Sequence, residues 1–479
     1  MALLVIDVGT SGVRAAIVQA DGAITHDHRR ETLPSSPAPG LVEFDATALA
    51  AAALEVAHAA LATGGPVDAV GIANQRASTV VWDRATGQPI GPGLGWQDLR
   101  TIGECLTLQG QGIRIAPNLS ATKLAHLLDQ HDPDRSADLC FGTVDTWIAW
   151  TLSSGALHVT DPSNAALTGL RTADQSQWDQ AVLHALRIPE SVLPAIVDSI
   201  GPCGEASALP GAPPIAGILG DQQASLLGQG CVAPGPAKIT FGTGGMLDVC
   251  VGPRPTFATR GRSGTFPVVA RSRHGELVWG VEAAMLAAGT NVEWLRDDLG
   301  LIASAAESHE IASQCVDTEG VAYVPALLGL GAPMWDYGAR GTLLGITRGT
   351  GRPQIVRAVL EGVAQRAADL VDAAEADGSI SIPTLRVDGG MSANPTFVQA
   401  LADATQRRVE VSPVVEATTL GAAFAAGLAV GTWADEAAVA ATWKPRTTIE
   451  PARVLDRERW ADSLKRAAAW FPELSGIDF

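Results

Sequence analysis

Leu3-Leu4-Val5-Ile6-Asp7-Val8-Gly9-Thr10-Ser11-Gly12-Val13-Arg14 is the stretch that decides how this chain folds. An apolar run ends at an acid, a Gly/Thr/Ser turn follows, and a second apolar run extends from Val13 to Val18. The pattern predicts a buried strand, a tight turn and a returning strand: a β-hairpin with its chemistry at the tip. Gly9 and Gly12 let backbone amides come close to a ligand, so the tip is suited to cradling a phosphate. Thr10 and Ser11 add hydroxyl donors, and Arg14 adds a fixed positive charge. Asp7, at the end of the strand, is placed to hold a divalent cation, because Mg²⁺ takes one or two carboxylates together with phosphate oxygens. An ordinary hairpin with a polar turn would share these features, so the rest of the chain has to decide.

It does so with an echo. Ile239-Thr240-Phe241-Gly242-Thr243-Gly244-Gly245-Met246-Leu247-Asp248-Val249 repeats the form, and aligning Asp7 with Thr240 puts Gly9 on Gly242, Thr10 on Thr243 and Gly12 on Gly245. A repeat at this separation points to two related domains facing one another, each offering a hairpin to one polyphosphate. Pro234-Gly235-Pro236 is a good boundary, dividing residues 1–233 from 234–479.

Composition narrows the function classes. The chain has 479 residues, 47% of them hydrophobic, enough for more than one core. A net charge of -18 argues against a nucleic-acid partner, which needs a basic stripe. Six scattered cysteines with no CxxC pair fit reduced thiols in cytoplasm. The N-terminus reaches Asp7 too soon for a signal peptide. The longest apolar stretch, Leu420 to Ala434, is shorter than the ~20 residues of a membrane span, so no membrane is expected as a partner. The only lysines, Lys123, Lys238, Lys444 and Lys465, do not follow glycine, which excludes a GxxxxGK[ST] loop. If the protein handles ATP, it does so with the two hairpins.

Between the hairpins, Asp45 is a candidate N-cap for a helix running to about Leu61, and Val67 to Ala73 reads as a buried strand. Arg76 and Trp96 follow strand ends, where α/β folds gather ligand groups; a surface ion pair and a core aromatic are the plainer alternatives. The period of Phe141 to Leu152 leaves helix and strand both open, and Asp161-Pro162-Ser163-Asn164 reads as a turn. Ile215 to Gly220 is a strand ending at Asp221-Gln222, where a helix opens. An acid there suits a general base, because a pocket can desolvate it while the helix N-terminus favours its charge; a plain N-cap is the alternative. Glu282 to Leu299 reads as a helix interrupted by Gly289, Gln354 to Glu375 as a long helix, and Leu385 to Asp388 as a strand before the turn Gly389-Gly390-Met391-Ser392-Ala393-Asn394. The helix from Leu420 is expected to close the second domain.

Asp7-Val8-Gly9-Thr10, Gly220-Asp221-Gln222-Gln223, Gly242-Thr243-Gly244 and Asp388-Gly389-Gly390 together resemble the FGGY family of carbohydrate kinases, and within it the glycerol-kinase branch. GIANQR (Gly71 to Arg76), FGTVDTW (Phe141 to Trp147), GLGAPMWD (Gly329 to Asp336) and GITRG (Gly345 to Gly349) extend the resemblance over nearly the whole chain. It implies two actin-like, ribonuclease-H-like α/β domains, each a mixed sheet flanked by helices, with ATP and a sugar or polyol in the cleft between them. It implies ATP-dependent, Mg²⁺-assisted phosphoryl transfer to a terminal hydroxyl. Asp221 would be the catalytic base and Asp7 would orient the metal. Thr10, Ser11 and Arg14 match the first phosphate hairpin, Thr243 and Gly244 the second. Gly289, Gly390 and Asn394 match further nucleotide contacts. Arg76, Trp96, Asp221 and Gln222 match acceptor contacts. Many family members are dimers, so the resemblance suggests a homodimer.

Three acceptor positions depart from the glycerol-kinase pattern. Ala77 replaces a carboxylate, Asn118 a tyrosine and Met246 a phenylalanine. Loss of a hydrogen-bonding acid weakens a polyol site, and the pocket is expected to be roomier, suited to a polyol or ketose of four or five carbons. Glycerol itself is the alternative acceptor, and a sugar-binding regulator without turnover is a further one; intact Asp7 and Asp221 count against the latter. Regulated relatives carry an arginine-bearing loop for fructose bisphosphate. Ser207 to Pro214 has no arginine, which predicts no such inhibition.

Overall fold

Each hairpin seeds a sheet. In the computed structural model, which describes residues 1–414 and 416–476, β1 (Ala2–Val8) and β2 (Gly12–Gln19) pair antiparallel with Asp7 opposite Arg14, and β3 (Ile24–Glu31) continues the meander. A helix, α1 (Ala46–Gly64), leads to β4 (Ala69–Asn74), which lies parallel to β1. β5 (Ile200–Glu205) and β6 (Pro214–Gly220) complete a sheet of order β5-β6-β4-β1-β2-β3. The apolar runs of β1 and β4 are buried on both faces, as expected of strands with helices on either side.

The second half repeats the plan. After α2 (Asp221–Gly228), β7 (Ala237–Phe241) and β8 (Gly245–Gly252) form the second hairpin. β9 (Phe266–Arg273) and β10 (Glu276–Met285) add antiparallel strands beyond β8. The long helix α3 (Arg352–Gly378) crosses to β11 (Thr384–Asp388), parallel to β7. Then come α4 (Pro395–Thr405), β12 (Arg408–Val411), α5 (Ala417–Val430) and β13 (Thr447–Ile449), giving the order β9-β10-β8-β7-β11-β12-β13. Both sheets therefore grow antiparallel from the second strand of their hairpin and parallel from the first, and the repeat seen at the two hairpins extends to whole-sheet topology.

Local chemistry accounts for most elements. Asp45 caps α1 by accepting from the Ala48 amide at 2.9 Å. Among the described residues α1 is the helix long and apolar enough to cross a membrane, but Leu49, Ala53, Val56, Ala57 and Ala60 pack it onto the first sheet. Leu139–Gly142 is a strand and Val144–Leu152 a helix, so the stretch whose period was undecided divides into both. Asp161 is more than a turn residue: it caps the short helix Pro162–Ala165 through the Ser163 and Asn164 amides.

Two expectations fail. The segment from Glu282 is not helical: Glu282, Ala283, Ala284 and Met285 finish β10, each opposite a residue of β8. Good helix formers are held extended by the ladder, an instance of tertiary pairing overriding propensity. Helix begins only at Thr290, with Gly289 as its N-cap. The Leu420 helix, α5, does not close the second core. Leu420, Ala422, Phe424 and Ala426 share a cluster with Leu3, Val5, Ala69 and Leu219 of the first sheet. α5 packs along α2 through small residues, and a Cβ on Gly217 of β6 would lie 2.6 Å from the Ala426 amide nitrogen. These two paired helices form the seam at which the halves of the molecule meet.

Candidate active site

The ends of β1, β4 and β6 face the second hairpin across this seam. Asp7 is half-buried at the end of β1, and its carboxyl is pushed up to about 7 by loss of solvent and by the neighbouring charge of Asp221, against the opposing pull of Arg14. The Thr419 hydroxyl of α5 donates to it at 3.3 Å. Asp221 opens α2 directly after β6, with Gly220 rather than Asp221 in the capping position. Burial raises its pKa too, while Arg76, whose Nε lies 3.4 Å from Oδ1, lowers it. Two half-buried carboxylates that repel one another, at the foot of a glycine-rich hairpin, form a donor set that a divalent cation carrying phosphate oxygens would complete. The residues present thus fit Mg²⁺.

The first hairpin tip is open. Gly9 donates to Gly12 O at 2.9 Å, and Ser11 is exposed. Trp96, 39% exposed, turns its indole N–H onto Thr10 Oγ1 at 3.2 Å, joining the expected acceptor wall to the expected phosphate loop. Arg14 is directed elsewhere than the tip. It pairs with Asp27 at 2.8 Å and with Glu416, and donates to Thr419 at 3.2 Å, so a phosphate would compete with two carboxylates for it. At the second hairpin, Gly289 donates to Gly242 O at 2.8 Å and Ala288 to Thr243 O at 2.8 Å. A Cβ on Gly289 would sit 2.6 Å from Gly242 O, which explains glycine where the turn meets the hairpin. A Cβ on Gly244 would lie 2.8 Å from Met285 O. Gly390 has open space around its Cα, while the Asn394 side chain caps α4 at the Phe397 amide (3.1 Å) and donates to Ser308 at 2.8 Å.

On the side expected to take the acceptor, Arg76 is neither on the surface nor free. Its Nη1 bonds Glu282 Oε2 of β10 at 2.7 Å, across the seam, and both side chains are about 11% exposed. Burial would raise the Glu282 carboxyl, but the Arg76 guanidinium outweighs it and holds it low. Ala77 is buried in the left-handed region at φ 62°, and its carbonyl accepts from Ser120 Oγ at 2.9 Å. Lys123, fully buried, donates to the carbonyls of Trp96 (3.2 Å) and Asn118 (3.1 Å), and burial brings its pKa down to about 7. Met246 stands opposite Thr240 in the second hairpin.

Sequence reasoning missed Glu282, Lys238 and Asp248. Lys238 Nζ pairs with Asp248 at 2.8 Å, both side chains buried, and also donates to the Gln222 side-chain oxygen. A signal was available: counting back from the second hairpin tip puts Lys238 directly opposite Asp248, and opposite charges inside apolar strands must pair.

Known proteins share this arrangement. Residues 2–228 match the N-terminal domain, and 237–430 the C-terminal domain, of the FGGY family of carbohydrate kinases. The chain is 42% identical over 494 residues to a glycerol kinase of Aromatoleum aromaticum, covering 98% of this chain and 99% of that one. It is 39% identical over 493 residues to glycerol kinase 2 of Thermotoga maritima, with 98% and 99% covered. Plasmodium falciparum glycerol kinase with ADP superposes with a TM-score of 0.90 at 28% identity, over 100% of this chain and 99% of that one. A xyloylose kinase from Brucella ovis has the same fold, with a TM-score of 0.87 at 23% identity over the full length of both chains.

Proposed function

Because the chain belongs to the FGGY family of carbohydrate kinases, an ATP-using phosphotransferase family with alcohol acceptors, we propose that its acceptor is glycerol and that Asp221 is its base. The naming of relatives about 40% identical over nearly the full chain supports glycerol, in place of the longer acceptor expected from the pocket residues. The observation carrying the catalytic assignment is Asp221 itself, half-buried at the head of α2 beside Arg76 and across from the second hairpin.

The acceptor hydroxyl gives its proton to the Asp221 carboxylate while its oxygen forms the new bond to the γ-phosphorus. The bond from that phosphorus to the β,γ-bridging oxygen breaks, and ADP leaves with those electrons. Amides at the tips around Gly9 and Gly242 hold the polyphosphate from the two sides, with Thr10, Ser11 and Thr243 adding hydroxyls. Asp7 and Asp221 are the residues that would hold Mg²⁺, which when bound neutralises phosphate charge. Arg76 and Trp96 orient the acceptor, and Gly390 and Asn394 lie on the nucleoside side. Closure of the halves along α2 and α5 would exclude water from the transferring group.

A four- or five-carbon polyol or ketose is the second reading, favoured by Ala77 and Asn118, which offer less bulk than a glutamate and a tyrosine. The test is ADP release from Mg·ATP with glycerol and with C4 and C5 polyols and ketoses. Glycerol as best acceptor is expected. A C4 or C5 compound with the higher kcat/KM would replace it. Asp221→Asn should abolish release with every acceptor while ATP still binds; retained turnover would overturn the base assignment.

A further inference from the structure

One buried carboxylate gathers more donors than its local task requires. Asp161 is fully buried and caps the helix Pro162–Ala165 through the Ser163 and Asn164 amides, each at 3.0 Å. A cap needs no more than these. Three side chains donate to Asp161 as well. Ser163 Oγ and Asn164 Nδ2 reach Oδ1, each at 2.9 Å, and Ser199 Oγ reaches Oδ2 at 2.6 Å. Burial raises its pKa, and the bonds from Ser199, Ser163 and Asn164 pull the other way. As a carboxylate it only accepts, which sets the direction of each bond around it.

Two of those side chains lead to the strand ends that carry the site. Ser163 gives its proton to Asp161, and the same oxygen accepts from the Gly220 amide at 3.0 Å. Gly220 ends β6, and Asp221 follows it. Asn164 gives one amide hydrogen to Asp161 and donates also to Asn74 Oδ1 at 3.1 Å. Its carbonyl oxygen is thereby turned to Asn74 Nδ2, at 2.9 Å. Asn74 ends β4, opposite Gly220, and its Nδ2 also donates to the Gln75 carbonyl at 2.9 Å, one residue before Arg76. Asn74, Ser163, Asn164 and Ser199 are all fully buried, so no water takes the place of a lost partner without a new cavity. On the other side, Ser199 Oγ accepts from the Ser272 amide of β9, and the Ser199 amide donates to Ser272 Oγ, both at 2.9 Å.

We propose that Asp161 is a positioning residue for phosphoryl transfer. By orienting Ser163 and Asn164 it holds the ends of β6 and β4, and with them the Asp221 carboxylate and the Arg76 guanidinium, which lie 3.4 Å apart. It acts through these neighbours and is not itself a reacting group. The inference rests on the reading of Asp221 as the base. A shift of the reacting groups by about 1 Å, caused by a change away from the chemistry, costs on the order of 100-fold in rate.

The experiment measures kcat and both KM values for ADP release, well below the Tm of each protein, with whichever of glycerol and the C4 and C5 compounds is turned over best. Active sites are counted by calorimetric titration with a non-hydrolysable ATP analogue, so that lost folded protein does not pass for lost kcat. Ser163→Ala keeps both capping amides and removes only the hydroxyl between Asp161 and Gly220. Asp161→Asn keeps the shape and turns one acceptor oxygen into a donor group. Ser199→Ala removes a donor from the other carboxylate oxygen and gauges a merely structural loss. Ser163→Ala and Asp161→Asn should lower kcat per site by at least about tenfold, with the KM for ATP within about twofold of wild type. Ser199→Ala should keep kcat within about twofold. A kcat in Ser163→Ala within about twofold of wild type overturns the inference, whether or not Asp161→Asn folds. Equal losses of kcat in Ser163→Ala and Ser199→Ala overturn it too, since the network would then be structural only. Turnover of no acceptor by the wild type, or turnover retained in Asp221→Asn, overturns the base assignment and this inference with it. An inactive Asp221→Asn beside a fully active Ser163→Ala overturns this inference alone.

Discussion

Gly9→Ala separates what the first hairpin does for the fold from what it does for a ligand. A Cβ at Gly9 would have Gly12 O as its nearest heavy atom, at 3.7 Å, which is ordinary van der Waals contact. The backbone at Gly9 is not in the left-handed region, so alanine is accommodated without strain. Such a replacement restricts the unfolded chain and stabilises by about 0.4–1 kcal/mol, so the Tm should hold or rise slightly. A phosphate seated on the tip meets the new methyl instead. Displacing it from one charge-assisted bond costs about 1.5–3 kcal/mol, or roughly 10- to 150-fold in affinity. Calorimetric titration with a non-hydrolysable ATP analogue, beside thermal unfolding of the same samples, reads both effects. The expected pattern is unchanged stability with ATP affinity lowered at least about tenfold. ATP affinity within twofold of wild type would refute the hairpin as a phosphate cradle, whatever its sequence resembles.

Two other perturbations bear on the acceptor side. Lys123 has its pKa lowered to about 7 by burial, so between about pH 7 and the ordinary lysine range the unfolded chain binds the extra proton and stability gains as pH rises. Lys123→Met should flatten that slope in Tm against pH and, by freeing the carbonyls of Trp96 and Asn118, raise the acceptor KM more than that of ATP; an unaltered slope would remove Lys123 as its source. Glu282→Gln leaves the buried Arg76 guanidinium with less compensating charge, and a loss of about 1–3 kcal/mol in stability is expected, with a raised acceptor KM and ATP binding retained. Denaturant unfolding and steady-state kinetics check it, and an acceptor KM that does not move would show that the pair is structural only.

What the sequence could and could not convey follows from the range of the interactions. The first hairpin, the Asp45 cap and the strand ending before Asp221 are settled by neighbours within a few residues, and each formed where its local chemistry required. Glu282 reads as helix because Glu-Ala-Ala-Met is locally helical, and only its partners on β8, more than thirty residues earlier, hold it extended. The small residues of α5 say how closely it packs but not against what; its partners lie in β1 and β4 at the far end of the chain. The candidate site shows the same division. Asp7 and Asp221 sit at strand ends and Thr10 in the turn after β1, places that neighbouring residues mark in the sequence, while the contact that joins the halves, Arg76 to Glu282, spans 206 positions. Lys238 and Asp248 lie between these extremes, since the hairpin register alone puts them opposite each other. A charged pair inside an apolar hairpin stabilises less than apolar packing would unless its groups have further work. Here Lys238 has such work at its nitrogen, in the bonds to Gln222 and Thr240, so the pair also holds the side chain that follows Asp221.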